Sequence, residues 1–154
     1  EKRHCLTNTI WNPNHAIISE FDPSMEPKDV AMLLSSVGLS SVPSWCKPAH
    51  VLSNGELYRA NVARKLTDLS SWHYKYRCFD EFTSELNRET AKSLSVSMAK
   101  YVRKNNIVDI VIATCHKDII EWLEPDWVFD CDKSTLELNK IKPNLKRVAT
   151  IEIL

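Results

Sequence analysis

The chain has 154 residues, 44% of them hydrophobic and 26% charged, which suffices for one domain with a core and argues against disorder. Lys+Arg and Asp+Glu both number 20, so the formal net charge is zero, and a whole-surface attraction to nucleic acid or an anionic membrane is not indicated. No stretch approaches the roughly 20 apolar residues of a membrane span. Glu1-Lys2-Arg3-His4 leads into a polar run rather than a signal peptide, so a cytoplasmic protein is expected. The first residue is Glu, not Met, which suggests a piece cut from a longer protein.

Residues 1–15 are polar and weakly patterned. Ala16 to Ser19 reads as a short strand, closed by Glu20, Phe21, Asp22 and Pro23. Pro27 suits the first turn of a helix. Val30, Leu33, Leu34 and Val37 form its apolar stripe, and Gly38 suits the residue just past its end. Residues 39–51, with Pro43, Trp45 and Pro48, read as a turn-rich connection. Ser53 opens a second helix with a capping box, because Glu56 lies three residues on. Tyr58, Val62, Leu66 and Leu69 follow at helical spacing. Residues 75–79 form a weakly apolar strand. A third helix is predicted over Arg88 to Lys104, with Ala91, Leu94, Met98 and Val102 on one face and Asn105-Asn106 ending it. Residues 107–113 form the clearest strand, nearly continuous in apolar β-branched residues, as a buried central strand should be. Lys117 to Leu123 makes a short helix that stops before Pro125. Trp127 to Asp130 and Thr135 to Leu138 read as a terminal hairpin. Residues 139–147 form a basic linker, and Val148 to Leu154 one more strand. Helices and strands alternate, which points to an α/β architecture, a mostly parallel sheet flanked by helices.

Two counts narrow the chemistry. There are two glycines, Gly38 and Gly55. A Walker A loop needs a pair at fixed spacing ahead of Lys and Ser or Thr, and a dinucleotide fingerprint needs a third. Neither is present, so these residues do not cradle phosphates with a standard glycine-rich loop. The five cysteines, Cys5, Cys46, Cys78, Cys115 and Cys131, are odd in number, widely spaced and without a CxxC. They read as reduced, mostly buried thiols rather than a disulfide framework. Cys115-His116 with Cys131 makes a poor metal site, since adjacent ligands rarely both reach one ion.

Three segments carry chemistry. Leu52-Ser53-Asn54-Gly55-Glu56 opens a helix with a hydroxyl, a glycine and unpaired N–H groups, which together bind anions; an ordinary N-cap has the same residues. Asp80-Glu81 ends a strand, where α/β sheets build their sites. An Asp there holds Mg²⁺ through water, and the neighbouring Glu polarises an attacking water; a solvated acidic pair is the alternative. His116 follows the central strand and is placed to hydrogen-bond a phosphate or a water, or to be a plain loop histidine.

In this order and spacing the segments resemble the ATP-binding cassette (ABC) ATPase family. Leu52 to Glu56 resembles its Leu-Ser-Gly-Gly-Gln signature, and Arg59 to Leu66 the Arg-Val-Ala-Ile-Ala-Arg-Ala-Leu run that follows. Cys78 to Asn87 resembles the Walker B and D-loop run, Leu-Leu-Asp-Glu-Pro-Thr-Ser-Ala-Leu-Asp. Ala113-Thr114-Cys115-His116 resembles the switch-histidine segment, Ala-Thr-His. The resemblance covers about residues 16 to 132. Asp80 to Ser84 and Cys115 to Val128 are also similar to a prokaryotic and phage group of ABC-type ATPases joined to a predicted acetyltransferase-like domain. On that likeness residues 1–138 are the C-terminal part of the ATPase domain, a partial P-loop NTPase fold, and residues 139–154 lie where the second domain begins.

The resemblance implies a head-to-tail homodimer sandwiching two ATP molecules with Mg²⁺. Asp80 would support the metal, Glu81 would orient or deprotonate the water, and His116 would contact the γ-phosphate. Ser53 and Gly55, with Asn54 and Glu56 beside them, would grip the partner's nucleotide. Glu20 falls where the family has its glutamine loop, and Ser84 to Asn87 would line the dimer seam. The chain departs from the pattern at Glu20, Asn54, Glu56, Phe82 and Asn87, and it lacks the upstream phosphate loop. A chain with only these groups is therefore expected to be inactive alone. A non-catalytic docking module that keeps the scaffold is the second reading. A third is a nucleic-acid surface built on Arg59, Arg64, Lys65 and residues 139–147, although a solvated amphipathic face has the same pattern. Trp45, Trp72, Trp122 and Trp127 read as core or loop anchors.

Overall fold

The computed structural model describes residues 9–67, 76–138 and, as backbone only, 150–153. Cys5, Leu69, Trp72 and the linker 139–147 lie outside the described residues. The chain divides into two separately packed units, Asn8–Trp72 and His73–Leu154.

The first unit is helical. Helix α1 spans Pro27–Ser36 with Pro27 in its first turn and Val30, Leu33 and Leu34 buried, as the stripe predicted. It stops where expected. Gly38 takes φ +79°; its N–H donates to Ser35 O at 3.0 Å and that of Leu39 to Leu34 O at 2.9 Å. These are the paired closing bonds of a left-handed helix end, a backbone conformation glycine adopts without strain. The turn-rich connection contains a single turn, α2 (Val42–Trp45), and a 3-10 turn at Ala49–Val51. Trp45 anchors it: the ring is 9% exposed and its Nε1–H donates to Leu39 O at 2.6 Å. Helix α3 spans Asn54–Thr67 and buries Ala60, Val62, Ala63 and Leu66.

The strand expected at 16–19 is instead a 3-10 turn, Ile17–Glu20. Only Ile17 is fully buried there, and its N–H donates to Lys47 O at 3.0 Å. A single anchored side chain favours a tight turn over an alternating strand face.

The second unit is a sheet with two helices. Its elements are β1 (Arg77–Phe79), α4 (Arg88–Lys104), β2 (Ile110–Thr114), α5 (Asp118–Leu123), β3 (Trp127–Asp130), β4 (Thr135–Leu138) and β5 (Thr150–Ile153). The sheet order is β1-β2-β5-β3-β4. β1, β2, β5 and β3 run parallel, while β3 and β4 form the expected antiparallel hairpin with Trp127 opposite Leu138 and Phe129 opposite Leu136. β5, from the far end of the chain, fills the gap between β2 and β3. Helix α4 has the predicted bounds because each end is specified: the Asn87 side chain accepts from Thr90 N–H at 2.9 Å, and Asn105 caps the other end. Ala91, Leu94, Met98 and Val102 are all buried.

Two strands are shorter than predicted. β1 starts at Arg77, and β2 starts at Ile110 rather than Ile107 because Asp109 takes φ +61°, which breaks the extended run. The thiols are also more open than predicted: Cys46 and Cys115 are exposed, Cys78 and Cys131 half-buried. Each sits in a turn or on a strand's less covered face. Among the described residues no helix is long and apolar enough to cross a membrane.

Candidate functional site at the strand ends

Parallel strands deliver their carboxyl ends to one edge of a sheet, so the loops after β1 and β2 emerge side by side and the loop after β3 leaves the same edge, one strand further on. A 3.7 Å ion pair from Lys117, after β2, to Asp132, after β3, spans two of them. The first loop carries Asp80 and Glu81. Phe79, the last residue of β1, is 1% exposed, whereas Asp80 and Glu81 are both exposed. The chain therefore passes from core to solvent within one residue.

It does so through a strained turn. Glu81 takes φ +48° and Thr83 φ +68°, the left-handed region that a β-branched residue in particular avoids. Such positions cost about 1–3 kcal/mol each and persist only where the surroundings impose them. Here the surroundings are explicit. Phe82 is fully buried and packs edge-on against Phe79 with ring centroids 6.1 Å apart. Its N–H donates to Ala113 O at 2.9 Å, which carries the β1–β2 ladder past the end of β1. Ser84 N–H closes back on Glu81 O at 2.9 Å and Leu86 N–H on Thr83 O at 3.1 Å. Glu81 N–H donates to Asp80 Oδ1 at 3.1 Å, which orients the Asp80 carboxylate.

The neighbouring strand end carries His116. Thr114, 2% exposed, links the two. Its Oγ1 donates to Phe82 O at 3.2 Å and accepts from His116 N–H at 3.2 Å. One hydroxyl thus ties the turn bearing Asp80 and Glu81 to the backbone of the histidine. The sequence contained the signal for it: in the buried alternation Ile110, Ile112, Thr114, the last member is polar, and a buried hydroxyl must find partners.

In the helical unit the capping box forms. Ser53 N–H and Oγ–H both donate to Glu56 Oε2, at 3.0 and 2.8 Å, and Glu56 N–H returns to Ser53 Oγ at 3.4 Å. Ser44 Oγ adds a bond to Glu56 Oε1 at 2.8 Å; nothing in the sequence pattern pointed to this partner. The Ser44 hydroxyl and then the Ser53 amide and hydroxyl lower the Glu56 carboxyl to about 2. The helix start therefore already holds a negative group on the donors that Ser53 would offer a phosphate. Asn54 is exposed and Gly55 half-buried in the first turn of α3.

Glu20, half-buried, also lies in the helical unit. It accepts from His15 Nδ1 and from Asn12 N–H at 3.3 Å, with Arg64 at 3.8 Å. The hydrogen bond from His15 is the main cause of its lowered pKa. Arg64 stacks on Trp11, 4.5 Å from the ring centroid, and donates to Ile10 O at 3.0 Å. Trp11 Nε1–H donates to Asn61 Oδ1 at 2.7 Å. The segment predicted as unpatterned is thus fastened onto α3, and Arg64 serves that contact. Arg59 is half-buried with its pKa lowered by desolvation. Asn87 is exposed, and its side chain caps α4.

Among the described residues no group of three or more His, Cys, Asp or Glu is arranged to hold a metal ion. Comparison with protein-family models, with curated proteins and with solved structures finds no match in any of the three.

Thr114→Val should destabilise the protein by about 1–3 kcal/mol by leaving buried backbone groups unpaired, while Thr114→Ser stays near wild type; urea unfolding of both checks this. Glu56 has a depressed folded-state pKa, so its contribution to stability is full above its ordinary value of 4.5 and is lost as pH falls toward about 2. Urea midpoints measured across that window should fall for the wild type and flatten for Glu56→Gln. An equal slope in both would remove the capping box as the cause.

Proposed function

We propose that this chain supplies the Walker B carboxylates, the D-loop, the switch histidine and a signature-like helix start of an ABC-type ATPase, a P-loop NTPase whose whole gene product binds and hydrolyses ATP with Mg²⁺ in the cytoplasm. The observation that carries this reading is the strand-end arrangement. Asp80-Glu81 leaves one parallel strand through a strained turn, His116 leaves the next, and Thr114 bonds to both segments. Phosphoryl transfer needs little covalent chemistry from the protein. It needs a metal ligand, a group that orients water and a donor at the transferring phosphate, all held in place.

In this reading Asp80 would hold Mg²⁺, which when bound would neutralise charge on the phosphates. Glu81 orients the attacking water and accepts its proton. His116 donates to the γ-phosphate. Asn54 and Gly55 offer first-turn N–H groups to the nucleotide of a head-to-tail partner, and Ser84 to Asn87 line the seam between protomers. Glu20 takes the glutamine-loop position, with its carboxylate engaged by His15 and Arg64.

One observation favours the non-catalytic docking reading instead. Glu56 occupies the Ser53 hydroxyl and amide, so a phosphate at this helix start would meet a fixed carboxylate. Glu81→Gln separates the two readings. In the full-length gene product the ATPase reading predicts retained ATP binding, trapped nucleotide and turnover reduced to background, measured by phosphate release. Unchanged turnover in the variant would remove the role given to Glu81.

A further inference from the structure

Helix α5 has six residues, too few to stand alone, yet the backbone of His116 is attached to it: Ile119 N–H donates to His116 O at 3.3 Å. What fixes α5 is α4, at both ends. At the far end Arg103 Nη2 donates to Leu123 O at 2.7 Å and Glu124 O at 2.9 Å, satisfying carbonyls that a helix end leaves open. At the near end Arg88, the first residue of α4, donates from Nη2 to Asp118 Oδ1. The Arg88 guanidinium lies over Trp122, 5.0 Å from the ring centroid, and Lys92 Nζ is 6.0 Å from the same ring. Arg88 Nη1 is buried with no hydrogen-bond partner among the described residues; the half-open guanidinium is held by the carboxylate and the ring.

The charges point the same way. Arg88 is the first cause of the lowered Asp118 pKa, and His116 contributes as a smaller one. Arg88 holds the Asp118 carboxylate by a direct bond. Arg88 also follows Asn87 directly, at the end of the 84–87 segment, in which Ser84, Glu85 and Asn87 are exposed and Leu86 is buried.

We propose that Arg88 is the positioning residue of the His116 segment: by holding Asp118 and Trp122 it fixes α5, and it makes the placement of His116 depend on the 84–87 segment that leads into α4. The clamp stands on its own geometry, while its bearing on ATP hydrolysis rests on the ABC-type reading above.

Amide hydrogen exchange on the full chain tests it. In Arg88→Gln the amides of His116 and Ile119 should exchange about five- to tenfold faster, the opening expected when a charge-assisted hydrogen bond is lost. The amides of Ile112, in β2, and of Phe82, bonded to Ala113 O in the turn after β1, should hold their rates. Arg88→Lys keeps the charge but not the planar stack, and should fall between. Uniform acceleration at all four amides, or no change at His116 and Ile119, overturns the proposal. In a full-length protein that hydrolyses ATP, Arg88→Gln should lower kcat with KM little changed. The local exchange effect in a protein without ATPase activity would support the clamp and overturn the ABC-type reading.

Discussion

A single buried hydroxyl holds the sheet-end arrangement together. Thr114 stands where the alternation of β2 asks for an apolar side chain, and it is satisfied only because one carbonyl and one amide converge on it, Phe82 O and His116 N–H. A buried hydroxyl without partners would cost more than the bonds return, so the turn after β1 and the loop after β2 are fixed relative to each other. That constraint explains how Glu81 and Thr83 are kept in left-handed backbone conformations. The strain of the turn is balanced by the burial of Phe82 and by the ladder bond to Ala113. The same bonds keep two acidic side chains exposed beside the strand that leads to a histidine.

The helix start in the other unit follows an opposite logic. Its donors are used internally. Ser44 and Ser53 converge on Glu56, and the carboxylate stays ionised far below the ordinary range. A glutamine in that place would accept fewer charge-assisted bonds and leave the helix start open to an anion.

Much of this was legible in the residues. Helix α4 had an asparagine at each end and a clean apolar stripe, and its bounds agree with the prediction. Gly38 and Pro27 marked α1, and the hairpin of β3 and β4 was read from two short alternating runs. What was not legible depended on partners distant in sequence. The turn at Ile17–Glu20 follows from a bond to Lys47, and the lateness of β2 from one left-handed residue, Asp109. The bond from Ser44 to Glu56 and the clamp of Arg88 and Arg103 on α5 join side chains that no periodicity connects. At the candidate site the sequence supplied Asp80, Glu81 and His116 as residue types at strand ends and Thr114 as a polar member of a buried alternation, but the partners of that hydroxyl needed the fold.

The most direct measurement is a calorimetric titration of the full-length gene product with ATP, with and without Mg²⁺. The account predicts saturable binding that requires the metal. A folded protein that takes up no Mg-ATP would contradict it and leave the strand-end carboxylates as part of a docking scaffold.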